Sequence, residues 1–495
     1  MNYQSTRNAN IHATAAEAVL QGLAPDGGLY TMPSLSGIRL DWQAVLQMDT
    51  LSMAREILSA LLPSFSKEEM DALVRAAYDG KFETPELTPT VPVGDDAVLE
   101  LFRGPTSAFK DVALSMLPRL MTASREKCGV DDEILILTAT SGDTGKAAME
   151  GFRDVPGTKI IVFYPYGGVS AVQQRQMETQ EGRNVCVCAV RGNFDDAQTG
   201  VKEIFSAVEQ QKLLEGQQVR LSSANSINIG RLAPQVVYYF RSYADLCRSG
   251  RIAVGDKVDF AVPTGNFGDI LAGYFAKLMG LPVGRLVCAS NANKVLTDFL
   301  TTGVYDRRRD FVRTSSPSMD ILVSSNLERL LYLAAEGDTA YVSACMEALA
   351  RDGVYQVSDK VLQNIRRDFS AGCCDEGETE KTIGRVWRDY AYLCDPHTAV
   401  AFAVAEEYKK QRQGGAPVVV LSTASPYKFP AAVLKAIGGG TEGDEFAQME
   451  TLSRITGAPI PQNLSGLRSR EVLHKDLIDK DDMLSYILDT LNVRK

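Results

Sequence analysis

Histidine is scarce in this 495-residue chain. Only His12, His397 and His474 occur, too few for a histidine-built metal centre. The nine cysteines (128, 186, 188, 247, 288, 345, 373, 374 and 394) are odd in number and scattered, with no CxxC pair. That removes zinc-framework and thioredoxin-like readings and leaves buried, reduced thiols of a cytoplasmic protein as the expectation. No stretch approaches the ~20 apolar residues of a membrane span. The polar start, MNYQSTR, lacks the apolar core of a secretory signal. A Walker P-loop and a GxSxG elbow are both missing, which argues against NTPase and serine-hydrolase chemistry. One formal GxGxxG occurs at 438–443, but it precedes no clear helix and reads as a loop. Basic residues are outnumbered, 52 against 62, giving a net charge of −10. This argues against a nucleic-acid or anionic-membrane partner.

What remains is ordinary globular composition, 45% hydrophobic and 23% charged, long enough for about three structural units and a core needing no staples. From about residue 130 short β-rich runs recur at 133–140, 159–165, 185–190, 259–264, 285–290 and 417–424. They are continuously apolar, as strands buried on both faces are. Helical segments separate them. Val201, Ile204, Phe205 and Val208 share one face of 195–210, with Asn193 or Asp195 available as its cap, and 269–279 forms another helix. The alternation predicts an α/β fold with two helix-covered, mainly parallel sheets. The first ninety residues predict helices at 10–23, 41–62 and 66–78, the last opened by a Ser66/Glu69 capping box. The proline-rich stretch 84–92 reads as a linker, and a last helix is expected near 481–491. The expected division is 1–92, a largely helical N-terminal region; 93–430, the two α/β units; and 431–495, a C-terminal tail.

Three segments carry chemistry. In PTGNFGD (263–269) a strand end passes through glycines into a helix, where free N–H groups and the helix dipole suit a phosphate. A tight turn with no ligand uses the same residues. ATSGDTG (139–145) is placed alike, although Asp143 would disfavour an anion unless it bonds a donor or is protonated; Ser, Asp and Thr are also plain helix caps. In ELFRGPTSAFKD (100–111), Lys110 follows a Gly-Pro turn, sits beside Phe109 and opens an apolar helix. Partial burial there would lower its pKa, as a Schiff-base amine needs. An exposed first-turn lysine fits the spacing equally well.

The run ELFRGPTSAFKD resembles the ELFHGPTLAFKD signature of threonine synthases, pyridoxal-phosphate enzymes of the tryptophan-synthase-β-like fold (fold type II). The likeness continues in order through YQSTR (3–7), GLAPDGGLY (22–30), ATSGDTG, NSINIGR (225–231), PTGNFGD, SPSMDI (316–321), SNLERL (325–330), DPHTAV (395–400) and STASPYKF (422–429). Carried over, it implies that Lys110 bears pyridoxal 5'-phosphate as a Schiff base. Gly265, Asn266, Phe267, Gly268 and Asp269 would cradle the cofactor phosphate in the cleft between the two α/β units. Thr423 would meet the pyridine nitrogen. Ser141, Asp143, Thr144 and Gly145 would face the substrate's amino-acid end, and Asn228 and Arg231 its phosphate.

The implied reaction converts O-phospho-L-homoserine and water to L-threonine and phosphate, the last step of threonine biosynthesis, in a monomer or homodimer. The alternative is a phospho-lyase releasing 2-oxobutyrate, ammonia and phosphate. Five residues depart from the family pattern: Arg103, Ser107, Asp269, Ser425 and Tyr427. Asp269 matters most, because a carboxylate beside a phosphate site is repelled unless it points away.

Overall fold

The computed structural model describes residues 3–38, 40–140, 142–412 and 415–491. All six apolar runs are strands: Glu133–Ala139, Thr158–Pro165, Val185–Arg191, Val258–Pro263, Val283–Ser290 and Val418–Ser422. They divide between two sheets. The smaller, wholly parallel sheet runs Asp476–Asp479, Val185–Arg191, Thr158–Pro165, Glu133–Ala139, Val219–Ser222. The larger runs Phe369–Cys373, Val283–Ser290, Val258–Pro263, Val418–Ser422, Asp96–Glu100, Thr90–Val93, parallel except for the final pair.

Burial on both faces follows from the unbroken apolar runs. Ile134, Ile136, Ile160 and Val162 enter one hydrophobic core, while the intervening Leu135, Leu137, Ile161 and Phe163 enter another across the sheet. In the larger sheet Phe260 and Val262 lie in the first core, and Ala261 and Val287 in a third. The helix Phe194–Gln211 is capped by Asn193, and Ser66 and Glu69 form the expected box before Lys67–Tyr78.

Local pairing alters three expectations near the N-terminus. Residues 10–23 are not one helix: His12–Ala13 pairs with Tyr3–Ser5, and the helix Ala15–Gln21 begins only after a Thr14/Glu17 capping box. The 41–62 stretch divides into Trp42–Leu46 and Thr50–Leu61 because Asp49 caps the second helix. The 84–92 stretch runs into the edge strand Thr90–Val93, where Pro92 is tolerated. The last helix is Met483–Thr490.

Two helices bring the site's loops together. Lys110–Lys127 contains Pro118, which has no N–H to offer the carbonyl of Leu114. Gly151 of the helix Asp143–Phe152 packs against that carbonyl so closely that a Cβ there would stand 1.9 Å away. The helix that begins with Lys110 is thereby seated against the one that begins with Asp143. The loops after the C-terminal ends of Glu133–Ala139 and Val418–Ser422 meet through the Lys428–Asp143 pair, and loops at such strand ends are the usual ligand position in parallel α/β sheets.

Candidate active site

Lys110 is only 7% exposed. Its loop is stitched to the end of the Val418–Ser422 strand: Phe109 N–H donates to the Thr423 carbonyl at 2.8 Å, and Ala108 bridges to Ala424. The turn before it closes on Asp111, which accepts from the backbone N–H and hydroxyl of Thr106 at 2.9 and 2.5 Å. Burial lowers the Lys110 amine to about 8; Asp143 opposes the shift, and Arg231 and Lys428 reinforce it. Nζ lies 3.4 Å from Ser318 Oγ and 4.7 Å from the Phe109 ring centre. An exposed first-turn lysine is therefore excluded, and an amine substantially neutral near pH 8 takes its place.

Asp143 does bond a donor. Buried Lys428 pairs with its Oδ1 at 2.5 Å, and Gln173 Nε2 donates to the same oxygen at 3.0 Å. Burial pushes this carboxyl up, but Lys428 and Lys110 override it and hold Asp143 well below the usual carboxylate range. Lys428 also donates to the Thr106 carbonyl at 3.2 Å, so one ammonium ties the Lys110 loop to the 142–145 loop. In that loop the Thr140 hydroxyl accepts from the N–H groups of Gly142 and Gly145, at 3.0 and 2.9 Å. The N–H groups of Asp143 and Thr144 find no acceptor among the described residues. Ser141 lies outside the described residues.

Arg231 is 5% exposed and donates to the Ala224 carbonyl at 2.7 Å. Burial lowers its guanidinium to about 10, and no carboxylate pairs with it among the described residues. A buried, uncompensated cation near Lys110 calls for an anionic ligand. Asn228 is differently employed. Its oxygen accepts Gly230 N–H at 2.8 Å and its amide donates to the Val19 carbonyl at 2.9 Å, so it caps the Arg231 turn and anchors the N-terminal helix.

The 264–269 loop is a cradle of unspent donors. From Gly265 to Ile270 no backbone N–H has an acceptor among the described residues. Phe267 takes the left-handed conformation (φ 63°) that turns the chain into the helix Gly268–Leu278. A side chain at 265 would stand 2.7 Å from the Ser318 carbonyl, so only glycine fits there. Asn326 fixes the loop by donating to the Asn266 carbonyl from its backbone and side chain, each at 3.1 Å. The Asp269 carboxyl turns toward Tyr238 and Tyr239, whose hydroxyls donate to Oδ1 at 2.6 and 3.0 Å. Burial pushes it up to about 6, against the pull of those hydroxyls and of Lys110. Its charge is thus partly suppressed; Oδ1 is taken by the two tyrosines, while Oδ2 is buried with no partner among the described residues.

Thr423 is buried beside Lys110, and its hydroxyl has no partner among the described residues. The other departures serve structural contacts. Arg103 pairs with Glu100 and Glu83. Ser107, in left-handed geometry (φ 59°), donates to Asn463 Oδ1 at 3.0 Å. Ser425 accepts Tyr427 N–H at 3.3 Å, and Tyr427 donates to the Ala458 carbonyl at 2.5 Å.

Sequence reasoning missed Lys428, Ser318, Gln173, Tyr238 and Tyr239. Lys428 and Ser318 stand inside the matched blocks STASPYKF and SPSMDI, which was the available signal. The remaining blocks support the site from outside: Thr6 and Arg7 bind Glu328, and Arg329 binds the Tyr30 and Ile227 carbonyls and Asn326. Among the described residues no cluster of metal-ligating side chains occurs, and no helix is long and apolar enough to cross a membrane.

A buried Lys amine beside a loop of free N–H groups at a helix start fits the pyridoxal-phosphate-dependent class. A family model described as pyridoxal-phosphate dependent enzyme matches residues 97–424. Models of the threonine synthase N terminus and of the threonine synthase C-terminal region match 2–78 and 398–483. The chain belongs to the threonine synthase family. It is 38% identical over 468 residues to threonine synthase of Schizosaccharomyces pombe, covering 88% of this chain and 89% of that one. It is also 38% identical over 436 residues to threonine synthase-like 1 of Macaca fascicularis, over 85% of this chain but only 58% of that longer protein. Its structure is similar to PLP-bound threonine synthase from Brucella melitensis, with TM-score 0.87, 38% identity and coverage of 99% and 98%. The yeast threonine synthase structure gives TM-score 0.88 at 32% identity, covering 100% and 99%.

Proposed function

We propose that this chain converts O-phospho-L-homoserine and water to L-threonine and inorganic phosphate, with pyridoxal 5'-phosphate bound at Lys110. One observation carries the reading: around the buried Lys110 amine lie two distinct places for a phosphate, besides the free N–H groups of Asp143 and Thr144. The free N–H groups of 265–270 form one, and the uncompensated Arg231 the other. A phosphorylated cofactor and a phosphorylated substrate require two.

The residues present fit the cofactor. The 265–269 loop would hold its phosphate, with Gly265 admitting the close approach, and the free Thr423 hydroxyl would meet the ring nitrogen. When bound, pyridoxal phosphate supplies the electron sink that makes carbanion character beside the amino group accessible. A neutral hydroxyl at 423, rather than a carboxylate, leaves that sink moderate.

The protein's own part is positioning and proton transfer. The N–H groups of Asp143 and Thr144 would orient the substrate carboxylate, their loop held in place by Lys428 and Gln173. Arg231 would hold the phosphate on Cγ. Lys110, neutral in a large fraction near pH 8, is placed to take one proton from Cα and a second from Cβ, so that phosphate leaves from Cγ, and to return one proton at Cγ before hydration and one at Cα after it. Water then adds at Cβ. Ser318, 3.4 Å from Nζ, steadies the amine between these steps. We place the reaction in the cytoplasm, a reducing compartment that suits nine unpaired cysteines.

The test is to incubate the purified holoenzyme with O-phospho-L-homoserine and follow phosphate, L-threonine and 2-oxobutyrate together. Phosphate and threonine in equal amounts are expected. Phosphate with 2-oxobutyrate instead would make the chain a lyase, and no phosphate at all would refute the substrate.

A further inference from the structure

A cavity of about 180 Å³ lies behind the Lys110 loop, lined by Pro105, Lys146, Glu150, Gln176, Asn463 and Arg470 among others. Most of its polar groups are satisfied. Glu150 accepts from Lys146 and from Gln180 Nε2, both at 3.2 Å. Asn463 donates to the Pro105 carbonyl at 2.8 Å and accepts from Ser107. Arg153, also in the lining, pairs with Glu181 at 2.6 Å.

Two groups are not satisfied. Gln176 is 2% exposed, and neither its Nε2 nor its Oε1 has a partner among the described residues. Arg470, at the exposed mouth, has no carboxylate partner among the described residues. A buried amide lacking both partners costs free energy until something supplies an acceptor and a donor side by side. Lys146 is paired with Glu150 and Arg153 with Glu181, so Arg470 is the lining cation left without a carboxylate among the described residues, and that something carries negative charge.

We propose that this cavity is a second, non-catalytic site for inorganic phosphate. Monohydrogen phosphate matches the donors and the one free acceptor together. Its anionic oxygens meet Arg470, Lys146 and Gln176 Nε2, while its remaining O–H donates to Gln176 Oε1. Sulfate has no such proton, and phosphomonoesters lose theirs with a second pKa near 6. Five heavy atoms fit the space.

The site adjoins the catalytic one through two rigid links. Pro105 and Asn463 hold the turn that leads into Lys110, and Lys146 belongs to the helix that begins with Asp143. If the reaction is the one proposed above, the ligand is its product, and the cavity senses product accumulation. That role rests on the proposed function; the binding itself does not.

The experiment is phosphate titration of the holoenzyme by calorimetry in phosphate-free buffer. Two classes of site are expected, of which Arg231→Ala removes the catalytic one. In the Arg231→Ala background, Gln176→Leu and Arg470→Ala should each weaken the remaining site about tenfold, the loss of one charge-assisted or buried hydrogen bond. Sulfate should bind that site about tenfold more weakly than phosphate. Arg470 is exposed, so its variant keeps the fold should Gln176→Leu fail to. A single site abolished by Arg231→Ala overturns the proposal. So does residual binding indifferent to Arg470→Ala, which would mean that water fills the cavity. An enzyme that binds phosphate here but makes no threonine would refute the assigned reaction and leave this site standing.

Discussion

Replacing Lys428 with methionine leaves the Asp143 carboxylate buried without its principal cation. The pair is 2.5 Å long, both side chains are almost wholly buried, and it joins the loops at the ends of the two sheets. Removing one member of such a pair costs about 3–5 kcal/mol, because the other charge stays desolvated and unpaired. Gln173 still donates to Asp143, and Lys110 remains near, which places the expected loss at about 3 kcal/mol. Asp143→Asn in the same protein removes the orphaned charge, so the double variant should recover most of the loss. In a double-mutant cycle the coupling should be about 2–3 kcal/mol.

The pH dependence follows from the same groups. In the unaltered protein the Asp143 carboxyl is held low, so its contribution is present at all pH above the ordinary carboxylate range and is lost only as pH falls through the depressed value. In Lys428→Met, burial acts with less opposition and the carboxyl rises. Protonation then relieves the strain, and the variant's deficit should shrink between pH 8 and pH 5. Urea unfolding of the cofactor-free protein at both pH values measures all of this. Additive single effects within about 0.5 kcal/mol, or a deficit that grows at pH 5, would falsify the ion-pair account.

Lys110→Ala should lose turnover by about a thousandfold or more while keeping its circular dichroism, since the amine is assigned the proton transfers; undiminished turnover removes Lys110 from the mechanism. In the cofactor-free protein, Lys110 acylation by an amine reagent should reach half its maximal rate near pH 8 rather than above 10, read by peptide mass spectrometry. Asp269→Asn should stabilise the protein at pH 8 by on the order of 2–3 kcal/mol, because a carboxyl raised to about 6 on folding costs stability as pH climbs through that value. The gain should vanish at pH 4, and a thermal shift equal at both pH values would contradict it. Gly151→Ala sets a Cβ against the Leu114 carbonyl and should lower stability by about 1–3 kcal/mol, unless the two helices part without cost.

The strands were legible because each is an unbroken apolar run, which only a sheet covered on both sides can bury. Val219–Ser222, Phe369–Cys373 and Asp476–Asp479 were not, since each is short and mixes polar with apolar residues. Asp476–Asp479 is recognisable only once Cys188 to Arg191 present an edge for it. The helix starts at Ser66 and Asn193 were readable from local capping chemistry, whereas the break before Ala15 depended on His12–Ala13 finding Tyr3–Ser5.

For the site, the order of motif residues alone indicated which amine and which glycine loop belong to one chemistry. Lys110, the 265–269 loop and Arg231 are distributed over more than a hundred residues, and the sequence names them without saying how charged they are. Tertiary structure decided that. It buried Lys110, which with nearby Arg231 brings its amine near neutrality, and it left Arg231 without a counter-ion among the described residues. It also answered the two acidic residues that the motifs left unexplained, pairing Asp143 with Lys428, far along the chain, and turning Asp269 onto two tyrosine hydroxyls. Residue types and spacing determine which groups are available. Desolvation and the partner that each buried charge finds depend on the packing of distant segments, and they determine what those groups can do.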